Sequence, residues 1–107
     1  MVLNVVPAAP AAILTVAEGP DQGFRFRIKP AATTHIGRET DNDVVLDDPA
    51  TSRHHAEILF HDGQYVVKDL GSANGTYVNE QRVSERALAD GDAIRVGQNV
   101  MKISLVP

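Results

Sequence analysis

The sequence predicts an all-β sandwich of two facing sheets. Apolar and polar residues alternate in several short runs, as in Phe24-Arg25-Phe26-Arg27-Ile28 and Met101-Lys102-Ile103-Ser104-Leu105. That period of two belongs to strands with one buried face. Turn-forming pairs such as Asp62-Gly63, Asn74-Gly75 and Asp90-Gly91 punctuate the chain every 6–12 residues or so, roughly the rhythm of an all-β sandwich. One segment alone, Ser84 to Ala89, reads as helical, and it would make a single turn.

Taken in order, residues 1–12 are apolar and rich in Ala and Pro, without the cationic start of a signal peptide. They read as an N-terminal tail or linker stub, and residues 13–107 as the domain. The stub holds no Ser or Thr, so it offers no hydroxyl for phosphorylation. Ile13 to Ala17 reads as a strand closed by the turn Glu18 to Gly23. Phe24, Phe26 and Ile28 then share one face and Arg25 and Arg27 the other, a solvated face, until Pro30 ends the strand. Thr33 to Gly37 makes a third strand and Val44 to Leu46 a fourth. Asp41-Asn42-Asp43 and Asp47-Asp48-Pro49 flank the fourth as turn formers; the EF-hand spacing and its closing Glu are absent.

Ala56 to Phe60 and Tyr65 to Leu70 form a hairpin about Asp62-Gly63. Asn74-Gly75 is a second hairpin signal, leading into Thr76 to Val78, with which Gln81 to Val83 pairs. Ala93 to Val96 follows Asp90-Gly91-Asp92, and Gly97-Gln98-Asn99 turns into a last strand where Met101, Ile103 and Leu105 share a face. Two such sheets bury their alternating apolar residues ~10 Å apart, and the polar turns gather at the two ends.

Composition bounds the chemistry. A chain of 107 residues makes one domain and buries a core without staples. The absence of cysteine excludes disulfides, thiolate metal sites and cysteine nucleophiles, and fits a reducing, cytoplasmic setting. A net charge of −4 argues against a binder of nucleic-acid backbone, and five aromatic residues leave few stacking platforms. No run approaches the ~18 apolar residues of a membrane span.

Three polar loops at strand ends carry the candidate chemistry: Gly37-Arg38-Glu39, Ser52-Arg53-His54-His55-Ala56, and Gly71-Ser72-Ala73-Asn74-Gly75-Thr76. Arg38 brings a permanently charged fork of donors matched to phosphate oxygens. Ser52 adds a hydroxyl donor and Arg53 a second cation. Asn74 offers an amide that both donates to and accepts from a peptide backbone. These groups bind an anion on an extended polypeptide. A hydrolase is not indicated, since no G-x-S-x-G elbow exists. Nor is a metal or any other cofactor: His54 and His55, as strand neighbours, point to opposite faces, and His35 and His61 are isolated in sequence.

Gly37-Arg38, Ser52-Arg53-x-His55 and the turn ending in Asn74-Gly75-Thr76 resemble, in order and in spacing, the signature of the forkhead-associated (FHA) domain. The closing Asp90-Gly91-Asp92-x-Ile94-x-Val96-Gly97 is also similar to that family, and the resemblance covers about Ile13 to Val106. It implies an 11-stranded β-sandwich of two sheets (SMAD/FHA-like) with its ligand loops at one end. It also implies a non-enzymatic module that binds phosphothreonine in a partner, a Ser/Thr kinase or its substrate, and thereby mediates phosphorylation-dependent signalling. By position, Arg38 and Ser52 would contact the phosphate, Arg53 the phosphate or adjoining backbone, and Asn74 the peptide main chain. Gly37, His55 and Gly75 would shape the site, with a buried His55 imidazole holding Ser52 in place. The family often has Thr where this chain has Ala73. One phosphate donor is thereby lost, for which the neighbouring Ser72 would partly substitute. The alternative expectation is a phosphate-independent interaction or oligomerisation scaffold whose pocket has degenerated.

Overall fold

The computed structural model describes residues 10–106. It is all-β, with β1 (Ala11–Glu18), β2 (Arg25–Ile28), β3 (Thr34–Gly37), β4 (Val44–Val45), β5 (Ala56–His61), β6 (Gln64–Asp69), β7 (Thr76–Val78), β8 (Gln81–Val83), β9 (Glu85–Leu88), β10 (Ala93–Val96) and β11 (Asn99–Val106). They form a six-stranded sheet, β2-β1-β11-β10-β7-β8, and a five-stranded sheet, β4-β3-β5-β6-β9. Among the described residues no helix is long and apolar enough to cross a membrane.

The alternation read from the sequence sets the core. In β1, Ala12, Leu14 and Val16 point inward, and in β11 Met101 and Ile103 do the same. They face Ile36, Ile58 and Val67 of the other sheet, all essentially without solvent exposure. Each such large side chain contributes roughly 1.5–3 kcal/mol on burial. The Asp62-Gly63 hairpin forms as expected, with positive φ at both residues (49° and 79°), the conformation that matches strand twist.

The structure departs from the sequence reading in four places. Ser84 to Ala89 holds no helical turn; Glu85–Leu88 is β9, paired with β6 from Lys68↔Glu85 to Tyr65↔Leu88. A single helical turn lacks the length to offset nucleation, whereas the open edge of β6 offers a row of unpaired backbone groups. Asn74-Gly75 is not a hairpin turn: β6 and β7 lie in different sheets, and the segment between them crosses from one to the other. The true hairpin turn is Asn79-Glu80, with φ of 50° and 68°, hidden because glutamate rarely signals a left-handed turn. The first strand begins at Ala11 and buries Ala12 completely, so strand structure starts inside the segment read as a tail. Phe24 precedes β2 and stays 41% exposed. The irregular leader expected for residues 1–12 otherwise falls, at residues 1–9, outside the described residues.

Candidate functional site

The loop from Leu46 to His55 is built on Asp48. This carboxylate has no solvent exposure. It accepts the Ala50 N–H (2.9 Å), the Thr51 hydroxyl (3.0 Å), and the Gln98 backbone N–H (2.7 Å) and side-chain amide (3.0 Å). Burial alone would raise its pKa, but these four donors outweigh it and hold the carboxyl below its ordinary value. Asp48 thus ties the start of the Ser52 loop to the β10–β11 turn.

Ser52 follows with every backbone group spent. Its N–H donates to His55 Nδ1 (3.0 Å), and its carbonyl accepts the Arg38 N–H (3.0 Å). Its Oγ accepts the Ala73 N–H (3.0 Å) from the third loop. The hydroxyl oxygen therefore serves as an acceptor, and its own proton has no partner among the described residues.

His55 is fully buried and uses all its polar atoms. Its backbone N–H donates to Ile36 O, and its carbonyl accepts Leu70 N–H. The imidazole Nδ1 takes the Ser52 N–H, so Nε2 carries the proton and donates it to Gly75 O (2.8 Å). One ring clamps the second loop to the third.

Arg38 lies where β3 ends, held by its N–H to Ser52 O and by Nε to Thr51 O (3.2 Å). The side chain is exposed, and among the described residues neither of its Nη groups has a partner and no carboxylate pairs with it. Gly37 makes this approach possible: a Cβ there would lie 2.1 Å from Arg53 O, so no other residue fits without parting the two loops. Asn42 seals the crossing by donating from Nδ2 to both Glu39 O and Arg53 O (2.8 Å each).

Asp69 organises the third loop. It accepts the Gly71 and Ser72 N–H groups and the hydroxyls of Ser72 and Thr76. Burial would again raise its pKa, and the hydroxyls and N–H groups lower it on balance. The Ser72 proton is thus given to Asp69, and its oxygen accepts Gly75 N–H (2.9 Å). The Ser72 hydroxyl faces its own turn and not the space beside Ser52 and Arg38. Gly75, with φ of 85°, is buried in a conformation that L side chains resist. Asn74 is exposed and donates from Nδ2 to Ala50 O (2.8 Å), leaving Oδ1 without a partner among the described residues. Arg53 is largely exposed, in a loose ion pair with Glu39 at 3.7 Å.

The structure therefore brings Arg38, Ser52 and Asn74 around the Ala50–Ser52 backbone, with Gly37, His55 and Gly75 behind them. Arg53 stands at the rim and Ser72 turns away. His54 is exposed and meets Asp41 (3.0 Å), and His35 meets Asp43 (3.3 Å). Sequence reasoning missed the supports: Asp48, Asp69, Asn42 and Thr51. Their residue types signal turns, and nothing in the sequence ties Asp48 to Gln98, fifty positions away.

Both depressed carboxyls make stability acid-sensitive. Their stabilisation is complete above the unfolded aspartate value of about 3.9 and is lost as pH falls through the lower folded values. Thermal melts should hold level from about pH 7 to 5 and fall steeply below about pH 4. A flat profile across that lower range would contradict the account.

The FHA domain model matches residues 34–97. The chain is 44% identical over 88 residues to the glycogen accumulation regulator GarA of Mycolicibacterium smegmatis, covering 82% of this chain and 55% of that protein. It spans about half the length of that curated relative. A domain solved in a structural and functional analysis of phosphothreonine-dependent FHA domain interactions superimposes with a TM-score of 0.83 at 34% identity, covering 91% of this chain and 98% of the other. Mycobacterium tuberculosis EmbR, solved in complex with a low affinity phosphopeptide, gives a TM-score of 0.81 at 38% identity, covering 91% of this chain and 25% of EmbR. With the model spanning the three polar loops and the sandwich in which they are set, the chain belongs to the FHA domain family.

Proposed function

We propose that this domain is a non-enzymatic reader of phosphothreonine, which recruits a protein partner once a Ser/Thr kinase has phosphorylated it. The observation that carries this reading is the pairing of two unspent donor sets at one point. Arg38 is held to Thr51-Ser52 by its Nε and backbone N–H with its Nη groups unpartnered among the described residues, and the Ser52 hydroxyl proton is unspent while Ala73 N–H occupies its oxygen. A phosphate dianion answers both. Asn74, anchored to Ala50 by its amide nitrogen, presents Oδ1 to a peptide N–H. Arg53 reaches the phosphate or the adjoining backbone only by leaving Glu39. Ser72 contributes through the turn it braces and not as a phosphate donor.

Threonine is favoured over serine because burying its methyl group is worth about 0.8 kcal/mol and β-branching stiffens χ1 before binding. The test is calorimetric titration with a phosphothreonine peptide and its unphosphorylated twin. Binding in the low-micromolar range or weaker is expected for the first alone; equal affinity for both would end the reading. Ala73→Thr is expected to tighten phosphopeptide binding about three- to tenfold, the worth of one added hydrogen bond. Comparison of the two dissociation constants checks this.

A further inference from the structure

We propose that the outer face of the six-stranded sheet is a second docking surface, one that takes a carboxylate-rich protein surface. Five of the ten Lys and Arg residues stand on this face: Arg25, Arg27, Arg82, Arg95 and Lys102. Register places them together. Arg25 and Lys102 both pair with Thr15, and Arg27 pairs with Ile13. Arg95 pairs with both Val100 and Tyr77, and Tyr77 in turn with Arg82. Paired residues share a face, opposite that of the buried Ala12, Leu14 and Val16.

The face is predominantly cationic in a chain that is acidic as a whole, with 14 Asp and Glu against 10 Lys and Arg. Of those acids only Glu18, at the end of β1, lies on a strand of this sheet. Glu80, in the β7–β8 turn, pairs with Arg95 at 3.1 Å, and that guanidinium is also fixed 4.1 Å over the Tyr77 ring. Among the described residues, Arg25, Arg27, Arg82 and Lys102 have no carboxylate partner. Arg25 and Lys102 are two strand spacings apart, ~10 Å, close to the ~8 Å screening length at physiological salt. Their fields therefore overlap, and a partner bearing carboxylates relieves the repulsion.

The layout favours a protein as occupant. β2 and β8, the two edge strands, carry Arg25, Arg27 and Arg82, and between them half-buried Ile13, Thr15 and Val100 are interspersed with Lys102 on β11 and Arg95 on β10. Half-buried side chains set among exposed cations suit a protein surface that brings carboxylates. A nucleic-acid duplex would need a continuous track of phosphate contacts, and here Arg95, midway across the sheet, is already taken by Glu80. Arg82 packs against Gly75 of the third loop, whereas Arg25, Arg27, Arg95 and Lys102 have no bond to the residues of the phosphate pocket among the described residues; the proposal rests on these four and stands apart from the reading above.

The test is an NMR titration of the domain with an unphosphorylated peptide of alternating Glu and Leu. A Lys-Leu counterpart, a short DNA duplex and phosphatidylserine vesicles serve as competing probes. Support is a set of amide shifts confined to β1, β2, β10 and β11 that fades in ~0.5 M NaCl. Support also requires a loss of about tenfold or more in affinity for Arg25→Glu/Arg27→Glu/Lys102→Glu, with phosphopeptide binding retained. Should the triple variant not fold, Lys102→Glu alone is expected to weaken the same titration. Shifts at the apical loops instead, no salt-sensitive shifts, equal binding of the Lys-Leu peptide, or tighter binding of duplex or vesicles would overturn the proposal.

Discussion

Replacing Arg38 with alanine is expected to weaken phosphothreonine-peptide binding by about a hundredfold or more while leaving the melting temperature nearly unchanged. The asymmetry follows from where the side chain spends its donors. Toward the protein it gives one exposed bond, Nε to Thr51 O at 3.2 Å, worth about 0.5–1 kcal/mol. Its backbone N–H to Ser52 O survives the substitution. Toward a phosphate, on the reading proposed above, it would give a charged, two-pronged contact of roughly 1.5–3 kcal/mol per bond. Arg38→Lys should recover only part of the loss, because a point charge lacks the fork. Calorimetry and a thermal melt on the same sample decide it. A variant that binds phosphopeptide within about threefold of the parent would show that the guanidinium does not carry the affinity, and would return the alternative of a phosphate-independent scaffold.

How far the sequence revealed this arrangement depended on the range of the interactions involved. Strands with a clean period of two were legible because their signal is local: Phe26 and Ile28, or Met101 and Ile103, declare their shared face without reference to any partner. Glu85–Leu88 was not legible, since its extended form is imposed by the edge of β6 and not by its own pattern. Asn74-Gly75 signalled a turn correctly but not where the chain goes next, and the sheet change there is a property of the whole sandwich. The site divides in the same way. Arg38, Ser52 and Asn74 stood out as polar groups at strand ends in a recognisable order. What braces them did not, because the bracing runs between segments remote in sequence: Asp48 with Gln98, His55 with Gly75, Ser52 with Ala73. The orientation of the Ser72 hydroxyl was likewise invisible until its acceptor, Asp69, was placed.

His55→Ala should be among the most damaging single changes in the chain, costing about 3–5 kcal/mol of stability. The imidazole is fully buried, so its loss opens a cavity, and truncations of this size cost about 2–5 kcal/mol. Two polar groups are stranded at the same time. The Ser52 N–H loses its acceptor and Gly75 O loses its donor, at about 1–3 kcal/mol each where water does not reach them. Water entering the cavity recovers part of that cost, which keeps the total below the plain sum. At about 4–8 °C per kcal/mol for a domain of this size, the melting temperature should fall by ~15–30 °C. A fall of less than about 5 °C would mean the ring is not the clamp it is taken to be. The functional consequence separates this residue from Arg38. His55 is buried and holds the Ser52 loop against the Asn74 loop, so its removal should weaken phosphopeptide binding even at temperatures where the variant remains folded. Arg38→Ala loses affinity without stability, whereas His55→Ala loses both, because the ring is the buried member of the bonds that join the Ser52 and Asn74 loops, the others, Ala73 N–H to Ser52 Oγ and Asn74 Nδ2 to Ala50 O, being exposed.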